Sequence, residues 1–513
     1  METKSQELAA AIKAQVATGN ATTPNETVLR IVEESRQVHA DFLRELRRVT
    51  REIGVSEAEV RAMERARDAQ LLPAERPTRF WRSEIEQCSP SGFLDDLVEP
   101  AVEQLVDLVD PKWLRSEAAK PYRLGADFLG HPLHLVNGVR VGMSLAPTGP
   151  QRFARMLLVS QDFLIKRPDF DFFSAAMFVP EVAQLGKSLD EIKELGPEAE
   201  RKLAALPSMS DDLVTSTIYE LLVGAACVRK GLTLTMMPEN RSRKIPDYQV
   251  TGLAEIPGAI ECKRRLGLTS YELKEAKSVE RLYGAIRPLL HERGVHGSIE
   301  VCFTVPLESI ANSDFIDDVL SVLDRDALAP TPTTWGSVAF QPLPHRRSIS
   351  PTRLYSPDYL EAVFGWKPLQ EEWDGILCEV DATPKIAVEI YSTPLCLKWR
   401  SESDAALTKK SRGITALWAD AVNQIPDGDV GFIYVAYPEG SRAALADART
   451  EYIREAASKF WHRWSVRVPV TMIARLYARP LGFGMPDLIE SVMPGVTAGN
   501  EVWLRKLPWR VFT

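Results

Sequence analysis

The feature that most constrains this chain is a change of hydrophobic period between residues 211 and 310, from helical to alternating and back. DDLVTSTIYELLVGAACVRKG sets Leu213, Ile218, Leu221, Leu222 and Ala225 at helical spacing and ends at Gly231, a residue suited to the left-handed turn that stops a helix. LTLTMMPE and DYQVTGL then alternate as strands on either side of the basic turn RSRKIP, and GAIECKRRL is a third strand. SYELKEAKSVERLYGAIRPLLHERG follows as a long helix, and GSIEVCFTVPL as a fourth strand. The order α-β-β-β-α-β predicts an α/β unit built around a mixed sheet.

Side chains alternate across a strand. In the third strand Ile260 and Cys262 therefore face a helix-covered core, while Glu261 and Lys263 point together to the other side. In the second strand Tyr248 and Val250 take the core side, leaving Asp247 opposite, at the strand's beginning, with Gln249 bordering it. Glu220 joins them from the first helix. Carboxylates that converge in this way suit a hard cation such as Mg²⁺, which takes oxygen ligands together with waters and phosphate oxygens. A lysine beside them supplies positive charge and orients a nucleophile.

Glu220, Pro246-Asp247 and Glu261-Cys262-Lys263, on helix, strand and strand, resemble the PD-(D/E)xK nuclease superfamily with its restriction-endonuclease-like fold. The resemblance implies Mg²⁺, with Mn²⁺ as a substitute, held by Asp247, Glu261 and the Cys262 carbonyl. It implies that Lys263 positions the attacking water and that Glu220 holds a second metal or a metal-bound water. The implied activity is phosphodiester hydrolysis by an endonuclease acting on DNA in preference to RNA, with bacterial defence or restriction as the superfamily's commonest setting. The alternative is a non-cleaving nucleic-acid-binding or scaffolding module on an inactive nuclease-like core, against which the intact Asp, Glu and Lys argue. The bare motif recurs, as in Pro168-Asp169 with Glu191-Ile192-Lys193, but a helical Glu-x-Lys splays its side chains about 200° apart. Glu272-Leu273-Lys274 and Glu275-Ala276-Lys277 fail for the same reason. The plain alternative for the strand motif is two carboxylates and a lysine on a solvated sheet face.

Charge supports the same region. The whole chain carries −8, whereas residues 221–300 carry a surplus of +4, which leaves −12 for the remainder. Arg241, Arg243 and Lys244 precede the motif, Arg265 follows it, and Lys274, Lys277 and Arg281 share a face of the next helix. These are the expected phosphate contacts, with a steep salt dependence. For the helix face, an ordinary solvated surface with Glu–Lys pairs is an equal alternative.

The expected organisation is α/β and multi-domain: a restriction-endonuclease-like core at 208–310, a helical region at 1–110, a mixed connecting region at 111–207, a Pro-rich connector loop at 311–365, and a C-terminal α/β domain at 366–513. The seam Val32, Ser35, His39, Phe42, Leu46, Val49 and Ile53 suits bundle or subunit packing, so a second copy or a partner protein is expected at the N-terminal helices. The C-terminal domain reads either as a degenerate repeat of the core, with Asp374 matching Asp247 and 387–391 matching 259–263, or as an extension of the core's sheet. The six cysteines are scattered without a C-x-x-C pair, which suits a reducing cytoplasm and argues against structural zinc. Cys262 reads as a core filler and not as a nucleophile. No phosphate loop, G-x-S-x-G elbow or H-E-x-x-H helix is present, and METKSQELAA does not read as a secretory leader. No apolar run approaches the ~18 residues of a membrane span.

Overall fold

The computed structural model describes residues 86–88, 94–120, 132–136, 139–141, 150–165, 172–239, 245–251, 257–265, 269–325, 329–342, 374–380, 395–438, 450–452, 455, 468–481, 485–496 and 501–512, all within the compact unit 77–513. The N-terminal seam, the 241–244 turn, Pro168-Asp169 and residues 387–391 lie outside the described residues. Helices α1 (Leu94–Asp107), α2 (Pro111–Ala118), α3 (Arg152–Ile165), α4 (Phe172–Lys187), α5 (Leu189–Glu194), α6 (Pro197–Ala205) and α7 (Asp211–Arg229) precede the motif region. Then come α8 (Ser270–Glu292), α9 (Asn312–Asp324), α10 (Asp404–Val422) and α11 (Glu501–Lys506). None of the helices is long and apolar enough to cross a membrane, among the described residues.

Two seven-stranded sheets organise these helices into a mixed α/β structure. The first runs in the order β1 (Glu86–Cys88), β14 (Met485–Val496), β13 (Val470–Leu481), β12 (Val430–Pro438), β6 (Gly258–Arg264), β5 (Tyr248–Thr251), β4 (Thr233–Met236). The second runs β3 (Val139–Val141), β2 (Pro132–Val136), β10 (Gly375–Val380), β11 (Leu395–Ser401), β7 (Gly297–Phe303), β9 (Gly336–Pro342), β8 (Thr331–Thr333).

The first sheet is covered on both faces. Tyr248, Ile260, Cys262, Phe432 and Tyr434 are buried in one core with Ile218 and Leu222 of α7 and with residues of α3 and α4. On the other face Ile433, Val435 and Tyr437 pack with Ile414, Trp418 and Val422 of α10. A central strand covered on both sides needs a continuous apolar run, and GFIYVAYP supplies one. In the second sheet, Ile299, Val301, Leu377, Leu397 and Trp399 are buried beneath α8 and α9.

The strand expected after the long helix forms, as β7, but it lies in the second sheet, paired parallel to β11. The strand parallel to β6 is β12, more than 160 residues further along the chain. The physical reason is face polarity. β7 carries Ser298 and Glu300 on one side, and Glu300 pairs with Lys398 of β11, whereas β12, the strand that takes the place beside β6, buries apolar side chains on both faces, Phe432 and Tyr434 on one and Ile433 and Val435 on the other. β12, β13 and β14 lie in the first sheet with β6, while β10 and β11 belong to the second sheet. The proline-rich connector is not all loop: α9 and the hairpin β8–β9 fall within it. β8 is an edge strand, where Pro332 takes no ladder donor away from a neighbour. Within the connecting region, SLDEIKELGPEAERKLAAL forms two helices, α5 and α6, separated at Gly196, whose φ is 95°, and Pro197.

α10 is held on the first sheet by Trp418, which is buried and donates from Nε1 to Thr471 Oγ1 at 3.0 Å. Trp418→Ala is expected to lower the unfolding free energy by about 3–5 kcal/mol. Trp418→Phe is expected to lose less. Urea denaturation followed by far-UV circular dichroism measures both; equal, small losses would show that α10 is not anchored there.

Candidate active site

Asp247 sits one residue before β5, and β5 runs antiparallel to β6 with Tyr248 opposite Ile260. One further step of that register sets Asp247 opposite Glu261. The two are tied at once by main-chain donors: Cys262 N–H donates to Asp247 Oδ2 at 2.7 Å, and Asp247 N–H to Glu261 Oε2 at 3.2 Å. The alternation read from the sequence holds here, since Tyr248, Val250, Ile260 and Cys262 are all buried in the helix-covered core. The plain alternative of a solvated face fails, because Glu261 is fully buried beneath α10.

Glu220 arrives from α7 by close helix–sheet contact. The Tyr248 hydroxyl donates to the Glu220 carbonyl at 2.8 Å. A Cβ at Gly224 would lie 2.6 Å from that hydroxyl, so a glycine in mid-helix permits the approach at a cost of about 1 kcal/mol in helix propensity. Lys202 of α6, itself buried, lies 2.8 Å from Glu220 Oε2 and 3.5 Å from Glu239 Oε1. Lys263 Nζ lies 2.6 Å from Glu261 Oε1 and 3.5 Å from Asp420 Oδ2 of α10. Asp420 is half exposed and marks the side on which the cluster meets solvent.

Three carboxylates and two lysines thus share one end of the sheet. Burial, and then the nearby charge of Glu220 and Glu261, hold the Asp247 carboxyl well above its usual range. Burial pushes Glu261 up to about 7, against the pull of Lys263. Lys263 stays a cation: burial opposes its charge, but Glu261, Asp247 and Asp420 outweigh it. Cys262 is buried on the opposite face with its thiol pushed far up by burial and by Asp247, so it is no nucleophile.

The donor chemistry suits a hard cation, because the nearby charge of Glu220 raises both Asp247 and Glu261, and a divalent ion would relieve that repulsion. Among the described residues no three His, Cys, Asp or Glu side chains form a ready-made metal cage. Asp247 and Glu261 are turned onto neighbouring N–H groups and Glu220 onto Lys202, so ligation requires these carboxylates to re-aim.

The expected phosphate contacts divide. Arg265 is largely buried and ion-paired with Glu272 at 3.0 Å, within the cap of α8, so its charge is already spent. Arg281 bonds Asn312 and the Leu307 and Ile310 carbonyls, which removes it from the helix face. Lys274 and Lys277 are exposed on α8, and Gln249 is exposed on β5. Glu191 and Lys193 do lie in a helix, α5, where Glu191 pairs with Arg229 and Lys193 with Asp190. Lys202 and Asp420 were not anticipated. Lys202 had a signal, because it lies at helical spacing between Ala199 and Leu206 on a buried seam. Asp420 had none, since its partner is 157 residues away in sequence. Comparison with protein-family models, with curated proteins and with solved structures finds no match to this chain.

The elevated carboxylates give the protein a pH signature. Glu261 moves from an ordinary value of 4.5 to about 7 on folding, so between those values the folded chain holds a proton that the unfolded chain has released. Its contribution is therefore complete at low pH and is lost as pH rises through about 7. In metal-chelated buffer the urea midpoint is expected to fall from about pH 5 to about pH 8, and Glu261→Gln to flatten that slope. An unchanged slope in the variant would remove Glu261 as the titrating group. Glu490, pushed by burial to about 7 as well, contributes with the same sign, and Glu490→Gln separates its share.

Proposed function

We propose that the protein is a Mg²⁺-dependent nuclease that hydrolyses phosphodiester bonds, with DNA in preference to RNA as the substrate and internal cleavage as the mode. The observation that carries this reading is Asp247, just before β5, side by side with Glu261 and Lys263 of β6, with Glu220 beside them from α7. The local succession α7-β4-β5-β6, completed by α10 and β12, supports a restriction-endonuclease-like core assembled from two separated stretches of chain.

Asp247 and Glu261, with the adjoining Cys262 carbonyl, would hold Mg²⁺, and Mn²⁺ would serve in its place. The ion would polarise the scissile phosphate and lower the pKa of a bound water. Lys263 remains protonated between Glu261 and Asp420 and orients the incoming water by donating to it. Glu220, steadied by Lys202, accepts from water on the α7 side. Lys274 and Lys277 offer cations for the backbone of a nucleic acid. The burial of Glu261, with the carboxylates engaged by N–H groups, favours one other reading, a non-cleaving nucleic-acid-binding or scaffolding protein on the same core.

Plasmid, linear DNA and RNA incubated with Mg²⁺ or EDTA decide between the two. The nuclease reading expects EDTA-sensitive cleavage of plasmid that falls by about 100-fold or more in Asp247→Ala and in Lys263→Ala. Absence of cleavage of every substrate, with salt-sensitive DNA binding retained in both variants, would leave the binding reading standing.

A further inference from the structure

The second sheet carries a counterpart of the site just described. β10 is antiparallel to β11, and β11 is parallel to β7, as β5 is antiparallel to β6 and β6 parallel to β12. Asp374 immediately precedes β10 as Asp247 precedes β5. Gly375 stands opposite Trp399, so one further step sets Asp374 opposite Arg400, and Asp374 Oδ2 accepts the next N–H, that of Ser401, at 2.7 Å. Asp247 makes the same bond, to Cys262, at the same length.

A capped helix follows the matching strand in both places: α8 after β6, capped by Thr269, and α10 after β11, capped by Ser403. Each helix covers the other sheet. α8 lies on β7 and β11, and α10 on β12 and β6. The chain thus contains the strand–strand–helix–strand pattern twice, with the helix–strand halves exchanged between the sheets. The copies differ at their flanks, since β4 is antiparallel to β5 whereas β2 is parallel to β10.

They differ most in where positive charge comes from. At the positions of Glu261, Cys262 and Lys263 stand Arg400 and Ser401, the last two residues of β11, and Glu402 just after it, so the order of charges is reversed. The carboxylates around Asp374 are Asp374 itself and Glu275 of α8, and Lys410 of α10 enters between them. Its Nζ lies 2.8 Å from Asp374 and 2.7 Å from Glu275, and the lysine is almost wholly buried. A buried ammonium meeting two carboxylates in this way does the electrostatic work of a cation without needing one from solution.

We propose that Asp374, Glu275 and Lys410 form a second, lysine-filled counterpart of the carboxylate site, in which the Lys410 ammonium neutralises the carboxylates as a divalent cation would beside Asp247. The proposal rests on reading Asp247 and Glu261 as the cation-binding position. Only the first site then responds to metal in the native chain, and the second becomes a metal site when the lysine is removed.

The test uses the full chain carrying Asp247→Asn, which silences the first site and separates failure of this proposal from failure of the nuclease reading. Thermal unfolding is followed with EDTA and with about 5 mM Mn²⁺. Asp247→Asn alone is expected to show no Mn²⁺ shift. Adding Lys410→Gln is expected to lower Tm in EDTA, and Mn²⁺ to restore about 5 °C or more of the loss. Further addition of Asp374→Asn is expected to abolish the Mn²⁺ response. Where the Lys410→Gln chain does not fold in EDTA, the yield of soluble protein refolded with Mn²⁺ replaces Tm as the readout. No rescue by Mn²⁺ in either readout would overturn the proposal. A rescue that persists after Asp374→Asn would overturn it too.

Discussion

The parallel pairing of β6 with β12 is the constraint on which the rest of the described structure depends. Parallel neighbours cannot be joined by a tight turn and need a crossover. Here the crossover contains α8 and α9, five strands of the second sheet, and α10 itself. Lys263 and Asp420 meet because β6 accepts β12 as its neighbour, with α10 carried in on the way. The same pairing closes the apolar layer between β12 and α10 and buries Glu261, which is what raises its proton affinity.

Much of the local structure was legible from period alone. From 211 to 303 every helix and strand expected from the pattern is present close to its expected bounds, and the two faces of β5 and β6 are assigned as alternation requires. What alternation cannot encode is the identity of a strand's neighbour. GSIEVCF and GFIYVAYP both read as strands, and only the polarity of their two faces separates a strand with a charged side from one sealed on both. β11 was missed although LCLKWRS alternates, with Leu395, Leu397 and Trp399 on one face and Lys398 and Arg400 on the other; the partner of Lys398 is Glu300, 98 residues away.

The candidate site shows the same division. The Asp247, Glu261 and Lys263 arrangement followed from two strands and their pleat. The countercharges did not. Lys202 and Lys410 each interrupt an apolar helical seam, Ala199–Lys202–Leu206 and Ala406–Lys410–Ile414–Trp418, and such an interruption announces a buried cation. It does not say which carboxylates receive it, because Glu220, Asp374 and Glu275 are brought in by other elements. The arginines erred in the opposite sense: Arg265 and Arg281 looked available by helical position and strand order, but loop and cap geometry consumes them.

α10 joins these themes. It carries Lys410 near its start and Asp420 near its end, about 15 Å apart along the axis at 1.5 Å per residue. A helix is stiff over that length, so it acts as a rod between two sockets. A slip by one residue's rise would draw Lys410 away from Asp374 and Glu275 and would shift Asp420 against Lys263 in the same movement. Strand pairing in one sheet thereby sets the alignment of charges in the other.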